Sequence, residues 1–228
     1  MSLSAFTASL KDKPELLAAV ARFNAPGIED FDPEALSDLA AALLRDGTLK
    51  KLGAGRAGQA MIRAWLFRQL GAKEVFTDFG EERRRLAFLD KETLGRLALA
   101  YGACIYAQEA ARLIKRDEVA ALRGLLGENY DYALSRGRYQ MRQAGGHFAS
   151  FLPGAPLPER MAEAGFTALR LCLADWPEEL FRLAAPRLPA ALRRPAETKF
   201  APLLPVFWAD LKKLLTTQVD PRWQTCFA

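Results

Sequence analysis

Apolar residues recur along this chain at helical spacing almost throughout, and nowhere do β-branched residues alternate with polar ones over the length of a strand. A period near 3.6 residues lines one face of a helix with apolar side chains, whereas a half-buried strand needs a period of two. The expected fold class is therefore all-α: a compact multi-helix globular domain with little or no sheet. Leu16, Leu17, Val20 and Phe23 form the first stripe, with Pro14 as its opening and Asn24-Ala25-Pro26-Gly27 as its stop. Asp32 before Pro33 reads as an N-cap with proline at the first helical position, ahead of Leu36, Leu39, Ala40, Leu43 and Leu44. Met61, Ile62, Trp65, Leu66 and Leu70 mark a third helix.

The longest pattern starts at Asp90 and carries Leu94, Leu97, Ala98, Tyr101, Ile105 and Gln108 on one face towards Ile114. Val119, Leu122, Leu125 and Leu126 predict a short helix capped by Asp117 and ended by Gly127, and Tyr130 to Ser135 another that stops at Gly137. Met161, Phe166, Leu169 and Leu173 follow, then Asp175-Trp176-Pro177-Glu178 in capping-box form, then Leu203, Leu204, Phe207, Leu211, Leu214 and Leu215. Helix boundaries in 73–89 and in the proline-rich 186–205 are not set by the pattern. At 228 residues the chain is read as one helical domain over 1–228, with the Gly/Pro-rich stretch 143–158 as the candidate internal boundary.

Half of the residues are hydrophobic, yet no window holds the roughly 18 consecutive apolar residues of a membrane helix. Met1 to Lys13 lacks the basic start and apolar run of a secretory signal, and three scattered cysteines do not make a disulfide framework. A cytoplasmic location is expected.

Motifs that would carry chemistry lack their settings. Gly53-Ala54-Gly55-Arg56-Ala57-Gly58 has the glycine spacing of a dinucleotide loop, but such a loop needs a buried strand before it, and Gly47-Thr48-Leu49-Lys50-Lys51-Leu52 is too short and polar for one. It reads better as a turn between helices. His147, the one histidine, stands beside Gly145-Gly146 with no nucleophile motif, and the cysteines have no metal-ligand spacing. Adjacent carboxylates such as Glu81-Glu82 and Glu178-Glu179 diverge on a helix and cannot flank one substrate. The residues point away from an enzyme, a cofactor and a metal.

The net charge of +5 comes mostly from arginine, which forms paired hydrogen bonds with carboxylates and phosphates alike. Arg83, Arg84 and Arg85 form one cluster, expected on an exposed face because Leu86 and Leu89 supply the apolar anchors just beyond them; Arg136, Arg138 and Arg142 with Tyr139 form another. These six arginines are the candidate partner-binding residues. Nucleic acid is the rival partner, but Glu81, Glu82 and Asp90 partly neutralise the first cluster and no recognition helix is evident. The ending, with Val219, Trp223, Cys226 and Phe227 in a short span, carries too much apolar surface to leave in water. It is expected to turn at Asp220-Pro221 and fold back on the body, the alternative being that it docks into a partner's groove.

Several segments carry a family resemblance: Leu97-Ala98-Leu99-Ala100-Tyr101-Gly102-Ala103, Val119-Ala120-Ala121-Leu122-Arg123-Gly124-Leu125-Leu126-Gly127, Tyr130-Asp131-Tyr132-Ala133-Leu134 and the ending Val219-Asp220-Pro221-Arg222-Trp223-Gln224-Thr225-Cys226-Phe227. Together they resemble the SctK family (YscK- and PscK-like proteins) of bacterial type III secretion, over about a quarter to a third of the chain. The resemblance implies a non-enzymatic accessory protein of the injectisome sorting platform. Such a protein links the cytoplasmic domain of the inner-membrane ring protein, SctD, to the pod protein, SctQ. It implies no cofactor, no small-molecule substrate, and a place at the cytoplasmic face of the inner membrane held by protein contacts alone.

Overall fold

In the computed structural model, residues 13–27, 30–32, 35, 41, 45, 47, 51, 55–71, 75–140, 148, 152 and 154–227 are described. Among them the helices are α1 (Pro14–Phe23), α2 (Arg56–Gln69), α3 (Lys91–Ile105), α4 (Ala107–Ala110), α5 (Arg116–Leu126), α6 (Asn129–Tyr132), α7 (Arg138–Gln140), α8 (Leu157–Leu173), α9 (Glu178–Ala184) and α10 (Leu204–Leu214). Tight 3-10 turns cover Glu82–Phe88, Ala185–Arg187, Ala190–Arg193, Thr198–Leu203 and Pro221–Trp223, and wide π turns cover Ala133–Gly137 and Leu215–Val219. No strand occurs among the described residues. The fold is all-α, as the periodicity requires.

The chain packs as two compact units. One takes Met1–Lys91 with Trp176–Arg193, and the other takes Glu92–Asp175 with Arg194–Ala228. The passages between them fall outside 143–158, a segment most of which lies outside the described residues. The helix expected after Asp32-Pro33 also lies largely outside them. Asp32 itself receives an ion pair from Arg193 at 3.2 Å, and Lys91 stands 3.8 Å away.

In the first unit α1 buries Leu16, Val20 and Phe23, while Leu17, on the edge of its stripe, is exposed. Phe23 meets Phe79 edge-on at 5.3 Å, and Phe79 in turn packs on Phe76 and Phe88. Asn24 fastens the end of α1 to this cluster: its side-chain amide donates to the Phe76 carbonyl at 2.8 Å and accepts from the Phe76 N–H at 2.9 Å. Arg187 lies over the Phe23 ring at 4.2 Å and donates to the Phe23 and Leu183 carbonyls. Its burial holds the guanidinium down to about 10, against the pull of Asp30. A second cluster joins Phe31 to Ile62 and Leu66 of α2, flanked by Trp65 and Leu70.

In the second unit α3, α8 and α10 supply the core. Gly102 and Gly165 let α3 and α8 touch at backbone level: a Cβ built on Gly102 would lie 1.8 Å from the Met161 carbonyl oxygen, and one on Gly165 1.8 Å from that of Ala98. As the α3 position rises by four the α8 position falls by four, so the two helices run antiparallel at this contact. Phe148, Phe200 and Phe207 stack at one side, with Phe148 5.2 Å from Phe200 and 5.7 Å from Phe207. The ending is docked here. Cys226 and Phe227 are buried, Phe227 lies 5.9 Å from Trp208, and Asp220 caps the last turn by accepting from the Arg222 N–H at 3.2 Å.

Four element readings need correction. Asp117, expected to cap α5, lies inside its first turn, and Lys115 is the N-cap, without a side-chain cap. The long helix expected from Asp90 towards Ile114 breaks at Tyr106, whose hydroxyl donates to the Phe148 carbonyl at 2.9 Å. Gly137 ends no helix; the chain runs on through it into α7, and its missing Cβ makes room for Cys104, whose Sγ would be 2.3 Å away. The capping box at 175–178 does not form: Pro177 is the N-cap of α9, without a side-chain cap, and the Trp176 indole N–H donates to the Arg83 carbonyl at 3.2 Å.

Candidate partner-binding surface

Of the six arginines singled out in the sequence, Arg83, Arg84 and Arg85 sit in the 3-10 turn Glu82–Phe88. With about three residues per turn, consecutive side chains point roughly 120° apart and cannot share one face. Arg85 points inward, 7% exposed, and its Nε donates to the Phe79 carbonyl at 3.1 Å. Arg83 pairs with Glu81, and Arg84 with Asp78; both arginines are half-buried. The expectation of an exposed basic face at 83–85 is therefore corrected. The Phe76–Phe79–Phe88 cluster draws this segment in, and its own acids absorb much of the charge.

Arg136 and Arg138 are exposed and have no ion pair to a carboxylate among the described residues; Arg142 lies outside those residues. Arg138 stacks over the Tyr139 ring at 4.5 Å, which leaves Tyr139 66% exposed. Nearby in sequence, Arg123 covers the Tyr130 ring at 5.0 Å and reaches Asp131 at 3.3 Å. Stacked arginine and tyrosine of this kind form a stiff, amphipathic edge suited to a protein surface or an acidic group.

The feature the sequence did not disclose is a cleft of about 560 Å³ between α5 and the start of α8. Leu113, Ala121, Leu122 and Leu125 line one wall and Pro156, Leu157 and Pro158 the other, with Glu118 at the rim. Only Leu122 and Leu126 of the α5 stripe are buried; Leu125 is 51% exposed. Ile114 stands 95% exposed in the turn before α5. Helix α4 ends at Ala110, so Leu113 and Ile114 fall in the irregular stretch before α5. Ion pairs brace the edges: Lys115 to Glu118 at 3.0 Å, and Arg160 to Glu109 at 2.6 Å with Arg160 stacked 4.6 Å over Tyr106. The signal available beforehand was Lys115-Arg116-Asp117-Glu118, a charged run set directly against an apolar pair.

The other sequence candidates are placed only in part. Gly55 is the N-cap of α2 and Lys51 lies in a helical turn, so no strand precedes the glycine-rich loop among the described residues; Gly53 and Ala54 are outside them. His147 lies outside as well. Among the described residues no group of three or more His, Cys, Asp or Glu could hold a metal ion, and no helix is long and apolar enough to cross a membrane. Comparison with protein-family models, curated proteins and solved structures finds no match to this chain.

Proposed function

We propose that this chain is a non-enzymatic adaptor of the SctK kind, which joins the cytoplasmic domain of the ring protein SctD to the pod protein SctQ in a type III secretion sorting platform. On this reading it works at the cytoplasmic face of the inner membrane, held there by its partners. The observation that carries the reading is the open apolar cleft between α5 and α8, with Leu125 and Ile114 in water beside it. Large apolar side chains clustered at a surface cost free energy until a partner covers them. Aromatic and arginine side chains such as Tyr139 and Arg138 supply the anchors that dominate protein interfaces. The resemblance of the 97–134 segments and of the ending to SctK proteins supplies the partners' names.

The test is retention of purified SctD cytoplasmic domain and of SctQ by the immobilised chain. Both are expected to be retained, and Leu125→Asp is expected to weaken at least one of them tenfold or more with the melting temperature unchanged. Retention of neither domain by the folded chain contradicts the proposal.

A further inference from the structure

Ile114, at 95%, is the most exposed large apolar side chain among the described residues. The residue before it, Leu113, lines the apolar cleft. The residue after it, Lys115, is the N-cap of α5 and reaches Glu118 on the cleft rim at 3.0 Å. An apolar knob therefore stands at the mouth of an apolar hole of about 560 Å³, walled by Leu125, Pro156 and Leu157. Leaving both in water is unfavourable in proportion to the apolar surface of each.

The charges at the rim decide what fits over the cleft. Lys115 pairs with Glu118 on one edge, and Arg160 pairs with Glu109 at 2.6 Å on the other. Each edge holds one cation and one anion, so these pairs give the rim no net charge to draw in a basic or an acidic segment. A surface with the same balanced pairs is complementary to it when turned about a two-fold axis. Lys115 of one copy then faces Glu118 of the other, and Glu118 faces Lys115. Knob and hole obey the same symmetry: when one Ile114 enters the second copy's cleft, the second Ile114 enters the first. An unrelated partner has to bring its own knob, whereas this chain carries one beside its hole.

We propose that a second copy of this chain covers the cleft, in a two-fold dimer in which each Ile114 seats in the other's cleft and the Lys115–Glu118 pairs meet across the axis. One knob and one cleft per copy make a contact at the small end of the specific range, so the dimer is weak, with a dissociation constant on the order of 10 µM. A regulatory consequence follows, and it rests on the adaptor reading above: a platform partner that takes the cleft must displace the second copy. Dimer and partner complex then exclude each other at this face.

Sedimentation equilibrium of the full chain alone, from about 1 µM to about 200 µM, brackets that constant. The weight-average mass is expected to rise from 25.2 kDa towards twice that value and to level there, as a closed two-fold contact requires. Ile114→Asp changes a side chain already in water. It is expected to weaken association at least tenfold, with the melting temperature at 1 µM unchanged, and Leu125→Asp is expected to do the same from the side of the hole. A mass that stays at 25.2 kDa throughout, that climbs past the dimer, or that rises equally in wild type and Ile114→Asp overturns the proposal. Retention of SctD domain or SctQ by a chain that is monomeric throughout overturns it too, and gives the cleft to a platform partner alone. A dimer that Ile114→Asp weakens, with neither domain retained, upholds the second copy and contradicts only the adaptor reading.

Discussion

Two glycines show how a single missing atom sets the packing of the second unit. Gly102 and Gly165 face carbonyl oxygens of the opposing helix, and a Cβ at either would overlap rigid backbone. Neither helix yields locally, so a methyl group must push α3 and α8 apart along their whole contact. Gly102→Ala and Gly165→Ala are each expected to cost at least about 1–3 kcal/mol, as overpacked cores do. Gly124 of α5 is the control, because it is exposed with open space around its Cα. Gly124→Ala is expected to stabilise by about 0.5–1 kcal/mol, since alanine relieves the entropy that glycine loses in a helix. Urea midpoints of the three variants check this, and equal midpoints for Gly102→Ala and wild type would remove the close contact from the fold. In the sequence all three glycines sit within helical patterns and look alike, because what distinguishes them is the element packed opposite. Gly137 misled for the same reason: its role is to admit the Cys104 side chain, not to end a helix.

At the scale of elements, what was legible was periodicity, and what was hidden was helix ends. The stripes of α1, α3, α8 and α10 depend on residues three and four apart, so they can be read without knowing the fold. Helix ends answer to distant contacts, as Tyr106 answers to Phe148 and Trp176, before α9, to Arg83. This reverses one expectation for the arginine segment. Reversing the charge of Arg83, Arg84 and Arg85 together is expected to lower thermal stability clearly, since each is held inside its own unit. Arg85→Ala alone should cost about 1–3 kcal/mol by leaving the Phe79 carbonyl without its donor. Melting curves decide it: unchanged temperatures would return the segment to a solvent-facing role. The ending was readable in part: Val219, Cys226 and Phe227 are buried as their apolar character requires, whereas Trp223 is only half-buried. Deleting residues 219–228 is expected to lower the melting temperature, and an unchanged value would mean that the segment contributes nothing to the isolated fold.

At the scale of the molecule, the all-α class followed from the sequence, whereas the apolar cleft did not. A stripe that will be half covered has the same period as one that will be fully buried, so Leu125 and Leu122 are indistinguishable in the sequence, although Leu122 is buried and Leu125 is 51% exposed. Of the six arginines, the structure leaves Arg136 and Arg138 as exposed cations, Arg138 stacked on Tyr139, and ties Arg83, Arg84 and Arg85 into the body. An adaptor differs from a mere binding protein in holding two partners at once, and binary retention cannot show that. The direct measurement is a three-component assay in which SctQ is immobilised, SctD cytoplasmic domain is in solution, and this chain is added in increasing amount. Retention of SctD domain is expected to rise with added chain, to saturate, and to fall again at large excess as separate binary complexes form. Retention of SctD domain that is indifferent to the chain, or that falls from the first addition, would contradict a bridging role.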